Sequence, residues 1–237
     1  MQNTDNQTVV ICTDLSKTYQ QGLIQVHALS NINFEVNKGE FICLSGPSGS
    51  GKSTLLNMIG GLDTPSSGKV YIDGEEIDKL NKSELADMRL HKIGFVFQAY
   101  NLIPVLTAQE NIEMVMQMQG VSKNERHHKS LNILQEVGLG GLENRKPTEL
   151  SGGQQQRIAV ARAIVSRPSL VLADEPTANL DSLTASKLID LMLQMNELHN
   201  TTFIISTHDP MIMQRSKKLV KLHDGKIIDN IIQKNNV

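Results

Sequence analysis

Eight residues, Gly46-Pro47-Ser48-Gly49-Ser50-Gly51-Lys52-Ser53, match the spacing G-x-x-x-x-G-K-[ST] and point to one kind of chemistry. The glycines let main-chain N–H groups wrap a row of phosphates, the Lys52 ammonium reaches the β- and γ-phosphates, and the Ser53 hydroxyl is a ligand for Mg2+. The helix that the loop opens, continued by Thr54, adds about half a positive charge facing the phosphates. A second string, Leu150-Ser151-Gly152-Gly153-Gln154, has the makings of another anion site. A serine and two glycines open a helix that runs through Arg157 and Arg162, and exposed N–H groups with a hydroxyl at a helix start attract anions. Its expected ligand is ATP bound to another copy of the chain. That predicts a head-to-tail homodimer with two-fold symmetry and two nucleotides in the interface.

Carboxylates and neutral polar residues complete the set. Asp174 follows the apolar run Leu170-Val171-Leu172-Ala173 and is placed to hold Mg2+ through water. Glu175 comes next, where it would orient or deprotonate an attacking water. A carboxylate is a weak base at neutral pH, so positioning is expected to matter more than proton abstraction. Gln98 ends the run Ile93-Gly94-Phe95-Val96-Phe97, and His208 follows the run at 203–207. Taken alone, each reads as an ordinary polar residue at a strand end. With the glycine loop and Asp174-Glu175 present, both are expected to sense a γ-phosphate, Gln98 by way of Mg2+ or water and His208 by a direct hydrogen bond.

The elements that must position these groups follow from pattern. Residues 8–12, 31–36 and 69–73 read as short strands, the last two ending in Asn37-Lys38-Gly39 and Asp73-Gly74 turns. Phe41-Ile42-Cys43-Leu44 is an apolar run entering the loop, and 53–60 is helical. The pattern is helical from Gln98 to about Ala163, apolar runs recur at 170–173 and 202–206, and 183–199 reads as a helix between them. Short buried runs alternating with helices imply a parallel sheet covered on both faces. Ligands of such sheets sit at the carboxyl ends of the strands, where the polar residues after each run converge.

Composition narrows the function classes. With 23 Lys+Arg against 25 Asp+Glu the formal charge is −2, which excludes nucleic acid held by bulk electrostatics. No apolar run approaches the roughly 18–20 residues that span a bilayer. The residues Met1-Gln2-Asn3-Thr4-Asp5 lack a basic region followed by an apolar stretch, so no leader is expected. Cys12 and Cys43 have no metal-like spacing and read as buried reduced thiols. Met114, Met116 and Met118 read either as core filling or as the lining of a groove for a partner. His127-His128 reads as a solvated helix face.

Together these residues resemble the ABC ATPase family over about 8–228. The resemblance implies an α/β fold of the P-loop NTPase kind, with a mixed or parallel sheet core, an N-terminal antiparallel β subdomain and an inserted helical subdomain. It implies one domain, with 1–98 and 160–237 as catalytic core and 99–159 as the helical insert. It gives Gln98 the role of hinge, Asn179-Leu180-Asp181 that of the loop joining two active sites, and His208 that of γ-phosphate switch. Tyr19 matches the aromatic that stacks on adenine, although a core tyrosine is the other reading.

Within the family, Gly60-Gly61-Leu62-Asp63-Thr64-Pro65, Asn101-Leu102-Ile103-Pro104 and Leu172-Ala173-Asp174-Glu175-Pro176-Thr177 look like the lipoprotein-releasing and macrolide-export group. That implies an ATPase using ATP and Mg2+, peripheral on the cytoplasmic face of the inner or plasma membrane. Its partner would be an integral permease with a large extracytoplasmic domain, exporting or extracting lipoprotein, peptide or drug. Two rival readings remain: an ATPase that activates extracytoplasmic enzymes through a membrane partner without transport, and a soluble family member acting on ribosomes or DNA. Ala178 departs from the glycine usual in the group, with a small change in loop flexibility expected.

Overall fold

Alternation first declares itself at Ile32, Phe34 and Val36, buried between exposed Asn31, Asn33 and Glu35, as a strand with one face on a core requires. A computed structural model describes residues 7–233. The leader expectation at residues 1–5 and the end of the polar tail at 234–237 lie outside them. The chain divides into two compact units, Met1–Asp87 with Thr202–Val237, and Met88–Thr201.

In the first unit that alternation belongs to β2 (Ile24–Asn37), which pairs antiparallel with β1 (Thr8–Gln21). Both strands are far longer than the 8–12 and 31–36 expected. Register shifts between Cys12 and Leu15, and between Leu15 and Lys17, break the alternation that a pattern reader needs. Asp14, with φ 48°, sits in the first of these irregular stretches. Beyond Ala28 the hairpin leaves the core, and Ile24 and Val26 are exposed. β4 (Ser67–Ile72) and the two-residue β5 (Glu75–Glu76) complete an antiparallel sheet in the order β2-β1-β4-β5.

A second group of strands carries the loop. β3 (Phe41–Ser45) is buried at every position, as is β8 (Thr202–Thr207), and the two are parallel. Unbroken apolar runs of this kind suit strands covered on both faces. β9 (Lys218–His223) is parallel to β3, and β10 (Lys226–Ile232) is antiparallel to β9. Their Asp224-Gly225 connection, with φ 46° and 71°, is a two-residue hairpin turn that the sequence reading passed over. α1 (Lys52–Ile59) follows the loop, and α7 (Pro210–Arg215) follows β8. Phe41 and Phe203 pack in the core with ring centroids 5.6 Å apart. Cys12 and Cys43 are free, buried thiols, and burial pushes Cys12 up to about 12.

In the second unit β6 (Ile93–Phe97) pairs parallel with β7 (Leu170–Asp174). α2 (Lys82–Lys92), unread in the sequence, crosses the boundary between the units along the chain. α3 (Ala108–Met118), α4 (Lys123–Glu136), α5 (Gly152–Ile164) and α6 (Ser182–His199) make the rest. A capping box, with Thr107 accepting from the Glu110 N–H and Glu110 accepting from the Thr107 N–H, starts α3. α5 lies close on β6 because Gly94 has no side chain: a Cβ there would stand 2.2 Å from the Ala163 carbonyl oxygen. Met116 fills core as one reading expected, Met114 is half-buried, and Met118 is 66% exposed and so is not core filling. His127 is exposed, with Nδ1 2.8 Å from Gln109 Nε2. The architecture is α/β, with antiparallel strands at the N-terminus and parallel strands leading to each of the expected polar residues.

Candidate nucleotide site

The phosphate loop is built around backbone that only glycine accepts. Gly46, Gly49 and Gly51 have φ of 153°, 79° and 102°. A Cβ at Gly46 would stand 2.2 Å from the Leu222 carbonyl oxygen, and one at Gly51 would stand 2.6 Å from that of Ala28. Gly49 is different, since nothing lies within 4 Å of its Cβ direction. Pro47, Ser48 and Gly49 are exposed at the loop's crest. Gly51 caps α1 with no side chain on the first turn, so the helix's leading N–H groups have no competing cap. Lys52 is 8% exposed, its Nζ folded back to donate to the carbonyls of Gly46 (2.8 Å) and Pro47 (3.1 Å). The Ser50 hydroxyl is buried without a hydrogen-bond partner among the described residues. An uncapped helix start, a retractable ammonium and an orphaned hydroxyl fit a row of phosphates.

Register brings His208 to the same end. Ser45 pairs with Thr207 across the parallel β3 and β8, so Gly46 and His208 each follow by one residue. His208 is exposed.

Tyr19 stands on β1, half-buried, and so is not a core residue. Its hydroxyl donates to Asp63 Oδ2 at 2.8 Å and also meets the Thr54 side chain. Lys17, on the same face two residues away, donates to Asp63 Oδ1 (2.8 Å) and the Thr64 carbonyl (2.7 Å), its Nζ 4.8 Å from the Tyr19 ring centroid. Burial raises the Asp63 carboxyl, but hydrogen bonds from Lys17, Tyr19 and the Thr64 N–H outweigh it and hold the group below its usual range. Burial, then the Asp63 hydrogen bond, raises the Tyr19 phenol. Lys17 and Asp63 had not been singled out as functional. The alternation Lys17-Thr18-Tyr19 was the signal for one, whereas Asp63 stood only in the string at 60–65 that carries the resemblance, 44 residues from Tyr19, with nothing to tie it to this site.

In the second unit, β6 and β7 pair Phe97 with Asp174, so Gln98 and Glu175 each follow by one residue at the same strand ends. Glu175 has φ 46°, a conformation that costs a non-glycine residue roughly 1–3 kcal/mol and collects at functional sites. Gln98 Nε2 donates to Asn179 Oδ1 (3.3 Å), and Asn179 Nδ2 donates to the Gln98 carbonyl (3.0 Å). Asp181 caps α6, accepting from the N–H groups of Leu183 and Thr184. Hydrogen bonds from Thr184 and Leu183 outweigh burial and lower its carboxyl. Ala178 is exposed and is not among the described residues with positive φ, so alanine sits there without strain. Ser53, Gln98 and Asp174 offer the oxygen donors that Mg2+ prefers.

Ser151 starts α5 through a capping box: Gln154 N–H donates to its hydroxyl at 3.3 Å, and Ser151 N–H donates to Gln154 Oε1 at 2.8 Å. The serine is exposed. A Cβ on Gly152 would meet the Tyr100 hydroxyl at 2.7 Å, and one on Gly153 the Thr184 Cγ2 at 2.4 Å. The two glycines therefore admit Tyr100 and Thr184 of their own chain as well as leaving the helix start open.

Comparison with known proteins shows the family. The family model described as ABC transporter matches residues 29–178. The chain is 45% identical over 219 residues to an uncharacterized ABC transporter ATP-binding protein of Thermotoga maritima, covering 92% of this chain and 93% of that one. It is 42% identical over 222 residues to the lipoprotein-releasing system ATP-binding protein LolD of Legionella pneumophila, covering 94% and 98%. Among solved structures it is similar to the ATP-binding cassette MJ0796, described as a dimer in a post-hydrolysis state bound to ADP and Pi. There the TM-score is 0.87 and the identity 42%, over 95% of this chain and 99% of that one.

Proposed function

This chain belongs to the ABC transporter family as an ATP-binding, Mg2+-dependent ATPase subunit, and from that premise we propose that ATP-driven head-to-tail pairing of two copies powers a membrane permease. The observation that carries the pairing is an exposed Ser151 at a second glycine-bearing helix start, which belongs to the second unit while the phosphate loop belongs to the first. The dimeric form recorded for MJ0796 supports it.

ATP lies with its phosphates against residues Gly46, Pro47, Ser48, Gly49, Ser50 and Gly51. Lys52 exchanges the Gly46 and Pro47 carbonyls for β- and γ-phosphate oxygens, Thr54 adds its hydroxyl, and Tyr19 stacks on adenine. Ser53, Asp174 through water and Gln98 directly or through water would hold Mg2+, which would supply charge neutralisation to the phosphates. Glu175 aims water at the γ-phosphorus. The new P–O bond forms as the bond to the β-phosphate oxygen breaks, giving ADP and phosphate. His208 holds the γ-phosphate by hydrogen bond. Ser151, Gly152, Gly153 and Gln154 of one copy, with Asp181 beside them, meet the nucleotide on the other. Moving such a clamp from 1:99 to 99:1 closed takes about 5.5 kcal/mol of differential affinity, spread over two interfacial nucleotides.

Residues 99–159 form the arm that meets the permease and 1–98 with 160–237 the catalytic core. The half-buried Met114, the exposed Met118 and the 73% exposed Val105 suit an irregular partner helix. The proposed seat is peripheral, on the cytoplasmic face of the inner or plasma membrane beside the permease. None of the helices among the described residues is long and apolar enough to cross a membrane. The likeness to LolD, the ATP-binding protein of a lipoprotein-releasing system, supports a membrane partner. The permease proposed here has a large extracytoplasmic domain, with a lipoprotein, peptide or drug as cargo. Affinity purification of the Glu175→Gln protein with ATP from detergent-solubilised membranes tests this. Recovery of such a permease is the expected result, and its own assay separates transport from activation of extracytoplasmic enzymes. Recovery of ribosomes or soluble protein alone contradicts the membrane role.

A further inference from the structure

Tyr100 and Asn101, the second and third residues after Gln98, both adopt left-handed backbone, with φ of 58° and 52°. Two consecutive non-glycine residues in that region are costly, and something must hold them. Arg162 does so. Its Nη2 donates to the Tyr100 carbonyl at 2.9 Å and its Nη1 to the Asn101 carbonyl at 2.6 Å. The side chain is 8% exposed. A planar guanidinium presents two parallel donors in fixed geometry, whereas a lysine ammonium is a point charge on a shorter, flexible stem that imposes no such orientation on the two carbonyls.

The same helix reaches the residue before Gln98. Gln156, fully buried on α5, donates from Nε2 to the Phe97 carbonyl (3.2 Å) and to the Pro176 carbonyl (2.7 Å), just after Glu175. Tyr100 lays its hydroxyl beside Gly152 at the start of α5. Three bonds from α5, to the carbonyls of 97, 100 and 101, thus bracket Gln98 on both sides.

We infer that Arg162 is a positioning residue for Gln98: its guanidinium locks the left-handed turn at Tyr100-Asn101 and so ties Gln98 to the helix that Ser151 begins. A displacement of α5 is carried to Gln98 through this clamp, and Gln98 can move independently only when the clamp opens. The inference rests on the reading of Gln98 as the residue that senses Mg2+ or water at the γ-phosphate.

The test uses the full chain with Arg162→Lys, Arg162→Met, Gln98→Ala and Arg162→Lys/Asn101→Gly. Amide hydrogen exchange reports on residues 97–103 and steady-state ATPase assays give kcat and KM. Arg162→Lys is expected to speed exchange in 97–103 by about tenfold. It is also expected to lower kcat about tenfold with KM within twofold, because nucleotide binding rests on the phosphate loop. Asn101→Gly should return most of the lost kcat, since glycine takes the left-handed conformation unaided. A side chain that only filled the core would show no such rescue. Unchanged exchange in Arg162→Lys overturns the clamp, even should Arg162→Met fail to fold. Faster exchange with an unaltered kcat, where Gln98→Ala does lower kcat, overturns the positioning role. Faster exchange with Gln98→Ala fully active keeps the clamp and removes Gln98 from the chemistry instead.

Discussion

The phosphate loop and the Ser151 turn are both glycine-bearing helix starts, yet they are built on opposite plans. Gly51 leads into α1 in left-handed backbone with no side-chain cap, and Lys52 holds the Gly46 and Pro47 carbonyls of the loop itself. Ser151 leads into α5 with a complete capping box that uses its own hydroxyl and Gln154. The first start is stable only in a fold that forces it, and it keeps its N–H groups for a ligand. The second is satisfied by itself. The Ser151 hydroxyl only accepts in that box, from Gln154 N–H at 3.3 Å, so its own O–H stays available to donate. On the proposed reading the roles are asymmetric: one turn takes nucleotide in the single chain, and the other, already capped, donates to the nucleotide of a second copy.

The sharpest way to break this comparison is at the lysine. Lys52→Ala should weaken ATP binding roughly 100-fold, the loss of a charge-assisted hydrogen bond, as read by calorimetric titration. Affinity within threefold of the parent would move the nucleotide away from this loop.

Gly153→Ala is next, because its Cβ would press on Thr184 Cγ2 at 2.4 Å. Overpacking of this kind costs about 1–3 kcal/mol, read by denaturant melting. Thr184→Ser removes that methyl group and should restore the stability of Gly153→Ala. If the double variant is stable but still fails to dimerise with ATP, the glycine serves the ligand as well as the packing.

A smaller effect is expected from Ser151→Ala, about 1 kcal/mol of folding stability from the lost cap, or roughly 2–4 °C in melting temperature. ATP-dependent pairing should fall further than stability does. A variant that pairs as well as the parent reduces the serine to a cap.

Much of the first plan was legible in the chain. Phe41-Ile42-Cys43-Leu44 and the run at 202–206 become strands buried at every position, so short apolar runs sufficed to find β3 and β8. Gln98 and Glu175 fell at strand ends because β6 and β7 pair in parallel register there. The second plan was less legible. A serine before two glycines announces a cap and an anion site alike, and only Tyr100 and Thr184, folded over those glycines, show that packing also demands them. Arg162 read as a helical residue, since its partners are carbonyls of Tyr100 and Asn101, and backbone leaves no mark in a pattern of side chains. The long β1–β2 hairpin escaped for a related reason: register shifts around Leu15 break the two-residue period.

The weakest effect concerns Tyr19 and Asp63, the side proposed to meet the base. Asp63 is held below its usual range, so its contribution to stability is present above the unfolded carboxylate value, about pH 3.9, and disappears as pH falls through the lower folded value. Asp63→Asn should therefore melt slightly lower than the parent at pH 7, with the gap closing below about pH 4. The same variant should loosen Tyr19 and weaken discrimination for adenine over guanine nucleotides. A gap that persists in acid would assign the effect to packing instead.

Sedimentation velocity of the Glu175→Gln protein with and without ATP tests the division of roles most directly. The expected result is a monomer that doubles its mass when ATP is added, with the doubling lost on adding Lys52→Ala or Ser151→Ala to the same chain. A species that binds ATP and stays monomeric at every concentration would contradict the claim that the Ser151 turn completes a partner's site.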